Sequence, residues 1–403
     1  MLRCGIRLFV PSGWTSGGGG AISLALVLPI VGALPIFLVA ALAHEMGAEF
    51  SFGAGALGVT VALHYAVCAV CSIGAGRIVD ALGLAAAVRV PSVVAAASCL
   101  LIAVAAHSAA AVLALMLVAA LGNGLAAPVA SGVLHASTTR EGLAFGAQQA
   151  SGPLAPLAAG LALPLVATPL GWRWAFFLTA GLALVVAVAR PALGTATVAA
   201  AHRRPPAGPR RRSSRAAARL SLAAGLAGAA AMGAAAFVTI YCVDEVGMTG
   251  SGAGLVLSTI GIAAAVGRLG TGAFADRHRV DPLRAVAVML FAGVVGYALL
   301  TARTAGLVTV AAVVIGLAGW GWSGALAVAL VRILPDAPRA VGSMMAGTFA
   351  GAVVGPVAIG VLAEHGRWNA AWVLCAALTA AAGATVAIAR RDAGARTGRP
   401  PSG

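Results

Sequence analysis

The chain has no lysine: all 26 of its Lys and Arg positions are arginine. Acidic residues number 11, and charged residues of every kind make up 9% of the sequence, against about a quarter in an ordinary soluble domain. Without lysine there is no Gly-x-x-x-x-Gly-Lys-Ser/Thr phosphate loop, so nucleotide-driven work within this chain is not expected. So little charge also excludes a water-soluble fold, because 61% hydrophobic residues and a mean hydropathy of +1.00 exceed what a soluble core can hide. The six cysteines, Cys4, Cys68, Cys71, Cys99, Cys242 and Cys375, lack the spacing of a disulfide framework. No acid falls deep in an apolar run: Glu45, Glu49, Asp244, Glu245 and Glu364 lie towards one side, and Asp80, Glu141, Asp276, Asp281, Asp336 and Asp392 towards the other. No clustered Ser/His/Asp, paired-carboxylate or metal set is visible, so neither an enzyme, a cofactor nor a bound metal is expected.

What the sequence has is a series of apolar runs near 21–43, 55–75, 87–106, 109–136, 142–168, 174–190, 218–241, 252–271, 283–302, 305–331, 338–362 and 369–389. Runs of this length predict an all-α membrane protein of 12 transmembrane helices, since only helices and closed barrels satisfy every backbone polar group in lipid. The first run is too long for a signal-peptide core and reads as a retained helix. The division is a segment 1–20, a six-helix bundle 21–190, an Arg/Pro-rich linker 191–217, a second bundle 218–389 and a tail 390–403. With a cytoplasmic N-terminus, 23 arginines fall on the cytoplasmic side and three, Arg173, Arg303 and Arg367, on the other, as the positive-inside rule expects. Both termini are then cytoplasmic, and the linker lies along anionic lipid. A pI near 11.4 comes from arginines in short gaps rather than on a polar domain, so no nucleic acid partner is expected.

The two bundles repeat each other. Gly76, Asp80 and Gly83 follow the second run, and Gly272, Asp276 and Arg277 follow the eighth; Asp80 precedes Trp172 by 92 residues, and Asp276 precedes Trp368 by 92. Equal separations between matching landmarks indicate duplication. With these motifs and twelve runs, the chain resembles the major facilitator superfamily over essentially its whole length. The family's signature Gly-x-Leu-Ala-Asp-Arg-x-Gly-Arg-Arg is matched in part: Ala81 replaces its first Arg, Leu84 and Ala85 replace the following basic pair, and Arg279 stands where the second copy would have its Gly. The resemblance implies two pseudo-symmetric six-helix bundles, alternating-access transport of a small-molecule substrate, and a gating role for the signature residues.

Gly152-Pro153 and Gly355-Pro356 resemble the Gly-Pro element of the superfamily's exporters and are candidate kink positions, although the two pairs are seven residues out of register relative to Asp80 and Asp276. Gly122-Asn123-Gly124 resembles another family element, but Val118 stands where its arginine would be. The resemblance implies a substrate cavity lined by the first, fourth, seventh and tenth helices, for which Asn123, Gln148, Gln149, Trp320, Trp322 and Ser323 are candidates by residue type. The two tryptophans, two residues apart, point to different helix faces, so at most one faces a central cavity; helix-to-helix bonding is the alternative role for the three amides. His64 and His135 are the titratable groups left within the runs and the candidates for coupling to protons. His64, Cys68 and Cys71 share a helix face, but His64 and Cys71 are about 10.5 Å apart along it, too far to ligate one ion. Efflux of an amphiphilic solute from a bacterial inner membrane, by a monomer, is the expected activity; uptake of a small nutrient or anion, and a transporter-like sensor or scaffold, are the alternatives.

Overall fold

The computed structural model describes residues 19–137, 148–188, 215–278, 281–333 and 337–397. We label its twelve long helical segments in chain order. The first six are α1 Gly19–Ala41, α2 Ala54–Leu82, α3 Arg89–Ala105, α4 Ala109–Ser137, α5 Gln148–Leu170 and α6 Trp172–Val188. The second six are α7 Arg215–Asp244, α8 Gly250–His278, α9 Pro282–Leu300, α10 from Ala305 to Ile333, α11 Ala337–Glu364 and α12 Trp368–Thr397. Ten of them are long and apolar enough to cross a bilayer. The other two, α3 and α6, have 17 residues each, about 25 Å at 1.5 Å per residue, the lower limit for a span. Apolar side chains such as Ile73, Val70, Leu165 and Val354 face outwards, as a lipid-facing surface requires. Several helices run past their apolar stretch: α7 starts at Arg215, inside the expected linker, and α12 continues to Thr397, inside the expected tail.

Local chemistry explains where helices stop and bend. Asp281 caps α9 by accepting the Leu283 N–H at 3.0 Å, with Pro282 in the first turn. Gly83 ends α2 at φ +74°, a conformation without penalty for glycine. The signature expected in a loop therefore forms the last turns of the helices, since Gly76 and Asp80 lie on α2, and Gly272, Asp276 and Arg277 on α8. In α5 the chain turns at Gly152-Pro153 and loosens into a π-turn over Leu163–Ala167. A second π-turn, Ile315–Trp320, interrupts α10, and the Trp322 indole N–H donates to the Gly319 carbonyl at 2.9 Å beside it.

The buried core is forked. We call the end where α1 starts and α12 stops the terminal end, and the other the far end. From mid-membrane to the far end one core runs through both halves, joining Leu34–Met46, Cys99–Ala106 and Ala155–Ala167 to Ala230–Cys242, Ala253–Ala264 and Ala352–Ala363. Towards the terminal end it divides into separate cores. One holds Ile22–Val31, Leu84–Ala96 and Ala126–Leu134 of the first half; the other holds Leu220–Ala227, Leu283–Leu290 and Trp322–Leu330 of the second. Ion pairs finish both ends. Arg173 meets Glu49 at 2.5 Å and Arg303 meets Glu245 at 2.6 Å at the far end; Arg390 meets Asp281 at 2.5 Å, and Arg219 pairs with Asp392, at the terminal end. Hydrogen bonds from Arg173 and then Trp172 hold the Glu49 carboxyl down to about 2.

Candidate functional site

Where the two halves meet at the far end, small residues bring backbones into contact. A Cβ on Gly58 of α2 would stand 2.7 Å from the Pro356 carbonyl oxygen of α11, and one on Gly261 of α8 would stand 2.8 Å from the Pro153 carbonyl oxygen of α5. Gly160 of α5 packs on Gly254 and Ser258 of α8. Hydroxyls add bonds: Ser258 donates to the Leu157 carbonyl at 3.1 Å, Thr239 of α7 to the Ala40 carbonyl of α1 at 2.9 Å, and Thr168 and Ser251 share a bond at 3.1 Å. His44 Nδ1 lies 3.0 Å from Asp244 across the halves. Glu45, on the short helix Ala43–Phe50, lies against Gly250 at the start of α8, with Oε2 enclosed and unpartnered. Burial pushes its carboxyl above the usual range.

The mid-membrane plug is aromatic. Tyr65 and Phe349 meet across the halves with ring centroids 6.3 Å apart, and Phe37 and Trp320 at 6.2 Å. The crevice among Phe37, Tyr65, Val61, Met232 and Ala236 is about 10 Å³, the threshold for a single water.

The cavity candidates separate into two groups. Trp320 belongs to this plug, whereas Trp322 sits 2% exposed in the core arm of the second half, so it packs within its own bundle rather than lining a cavity. Asn123 Nδ2 lies 3.0 Å from His64 Nε2, and His64 Nδ1 lies 2.9 Å from the Met116 carbonyl. A carbonyl can only accept, so Nδ1 carries the proton and Nε2 accepts from the amide. His64 is fully enclosed, and Cys68 beside it points at the Ala120 carbonyl at 3.4 Å. This row fastens α2 to α4. Gln148 similarly accepts from Ser131 at 2.9 Å and donates to the Ala127 carbonyl at 2.9 Å, fastening α5 to α4. Ser323 is buried with no partner for its hydroxyl. Gly355 packs on Ala229 of α7, so its small size serves packing within the second half. The side chains of Gly76, Asp80, His135, Gly272, Asp276 and Arg277 lie outside the described residues.

Gln149 leads to a residue that the sequence reading grouped with the terminal-side arginines. Its main-chain carbonyl accepts from Arg268 Nη1 at 2.5 Å, so Arg268 of α8 reaches across to α5. Arg268 stands inside the apolar span Gly250–Thr271, one turn beyond Ala264, where the shared core ends. Its Nε is enclosed and unpartnered, and among the described residues no carboxylate lies within ion-pair distance. The signal was available: positions 264, 265, 271 and 272 are Ala, Ala, Thr and Gly, so no acid stands three or four residues away to neutralise it.

With this geometry in hand, the comparisons with known proteins agree in kind. Two solved structures of a bacterial homologue of the human lysosomal transporter Spinster share the fold. The inward-facing, occupied form is 16% identical, with a TM-score of 0.75 over 92% of this chain and 96% of that one. The inward-facing, unoccupied form is 13% identical, with a TM-score of 0.67 over 96% of this chain and 100% of that one. No curated protein matches the sequence. The sequence profile of the Major Facilitator Superfamily matches residues 21–336 and, overlapping them, 220–403. The chain therefore belongs to the Major Facilitator Superfamily, with that family's twelve-helix fold and its role in moving small solutes across membranes.

Proposed function

We propose that this protein exports a small amphiphilic organic solute by alternating access, as a monomer of a bacterial inner membrane with both termini in the cytoplasm. The observation that carries the mechanism is the forked core: the halves share one core at the far end and have separate cores at the terminal end. Two rigid bodies in contact at one end can rock to contact at the other, exposing a mid-membrane site to each face in turn. The aromatic groups Phe37, Tyr65, Trp320 and Phe349 at the floor of the fork support an amphiphilic solute. The arginine asymmetry supports the orientation. Protons are the candidate coupling ion. Among the described groups, Glu45 rather than His64 lies between the halves, so protonation of Glu45 would act on the far-end contact.

Flux tests this reading. Reconstituted in liposomes with known sidedness, the protein should carry its solute towards the far-end face when the proton gradient is inward from that face. Gradient-independent flux would remove proton coupling. Accumulation in the opposite sense would make it an uptake carrier, and ligand binding without flux would make it a sensor.

A further inference from the structure

We propose that Arg268 is the charge-recognition residue of the pathway and that the solute is an organic anion: a carboxylate, sulfonate or phosphate ester on an apolar body. The assignment rests on the transport reading above and gives that site its substrate class. Arg268 lies at the crotch of the fork, between the halves, bonded to α5 through Gln149 and flanked by glycines. A Cβ on Gly152 would stand 3.3 Å from its Nη1, and Gly324 of α10 packs on its backbone, so bulk is kept off the guanidinium. Arg173, Arg219, Arg303 and Arg390 each face a carboxylate at the ends of the bundles. Arg268, three residues inside the terminal end of its apolar span, faces a neutral carbonyl. A carbonyl takes one of five N–H donors, and among the described residues no carboxylate compensates the charge, an arrangement characteristic of substrate paths. The enclosed Nε and the enclosed Ser323 hydroxyl, next to Gly324, are donors without acceptors. An anion entering between the separate cores of the terminal end would supply both acceptor and countercharge, because a guanidinium presents parallel donors that match carboxylate and phosphate oxygens. Its apolar body would then meet Trp320 and Phe37.

The test is thermal unfolding of the full-length protein in a detergent with an uncharged head group. The probes are 3-phenylpropionate, benzenesulfonate and phenyl phosphate, set against 3-phenylpropylammonium, 3-phenylpropanol and the anionic lipid phosphatidylglycerol. Wild type should show a saturable rise in Tm with soluble anions and none with the ammonium or alcohol. Arg268→Gln should weaken anion binding tenfold or more, and Arg268→Lys should retain part of it. The assignment is overturned by anion protection unchanged in R268Q, by protection from the ammonium, by protection from phosphatidylglycerol alone, or by no protection from any anion. If Arg268 only pins α5 to α8, R268Q lowers the unliganded Tm and leaves the anion-induced rise intact, which also overturns it. Should R268Q fail to fold, R268K and the anion-against-cation ranking in wild type decide. Arg268-dependent anion binding without flux would keep this site and remove transport; flux of a cation or alcohol indifferent to R268Q would do the reverse.

Discussion

The carbonyl oxygen of Pro356 in α11 lies against Gly58 in α2, 2.7 Å from where a Cβ on that glycine would stand. The Pro153 carbonyl of α5 has the same relation to Gly261 of α8, at 2.8 Å. The second pair explains an irregularity in the repeat. Pro153 follows Asp80 by 73 residues, whereas Pro356 follows Asp276 by 80; Gly58 precedes Asp80 by 22, whereas Gly261 precedes Asp276 by 15. Both members of the Pro356 pair are thus displaced by seven residues, two helical turns, towards the far end. The proline and its glycine are displaced together, so the close backbone contact is present in both pairs.

Gly58→Val should therefore push α11 away from α2. A Cβ inside 3.0 Å of a main-chain atom forces backbone movement, and overpacking of this kind costs about 1–3 kcal/mol. Electron–electron distances between labels on Gly53 and His365 should lengthen in this variant, while Gly74→Val, where nothing lies within 4 Å, leaves them unchanged.

Asn123→Ala should lower stability without altering substrate affinity. The amide serves His64, and the pair holds α2 to α4. Interhelical hydrogen bonds in membranes average about 0.6 kcal/mol, with an upper value of about 1.7. Thermal unfolding should show a loss of that order, shared rather than doubled in the double variant with His64→Leu, and the apparent KM of transport should stay at its wild-type value.

The two tryptophans of α10 should behave oppositely. Trp322→Ala removes a fully packed indole from the second half and should cost about 3–5 kcal/mol of stability, with little effect on KM in the folded fraction. Trp320→Ala opens the aromatic plug beside Phe37 and, besides the stability lost with a buried indole, should raise KM several-fold.

Glu45 gives the far-end contact a pH dependence. Its carboxyl is raised by burial, against a partial opposing effect of His44 on the same short helix; His44 in turn faces Asp244 across the halves. A carboxyl whose value is raised in the closed arrangement stabilises that arrangement at low pH and loses the contribution as pH rises through the raised value. Labels at Gly53 and His365 should report more opening above that point than below it. Glu45→Gln, which keeps the neutral form, should hold the low-pH distance throughout.

Much of this architecture was legible in the residues. Twelve apolar runs, the arginine-rich gaps and the 92-residue landmarks give helix number, repeat and family, because lipid forces length and polarity to follow topology. The signature lies beyond the second apolar run, yet α2 continues helically to Leu82 and stops only at Gly83, since polar residues do not end a helix that has left the bilayer. The site was harder to read. Asn123 and Gln148 have the composition of a substrate site, yet their partners, His64, Ser131 and the Ala127 carbonyl, come from chain positions that only packing brings near. Arg268 lies near the end of an apolar run, and only packing, with the shared core ending at Ala264 and the Gln149 carbonyl beside it, puts it between the halves.

The most direct measurement is a pair of distances taken during turnover in lipid: one between labels on Gly53 and His365 at the far end, the other between labels on Leu82 and Gly342 at the terminal end. Reciprocal change is expected, the first distance lengthening as the second shortens, with both populations present when solute flows. Two fixed distances under conditions of measured flux would contradict alternating access by these two bundles.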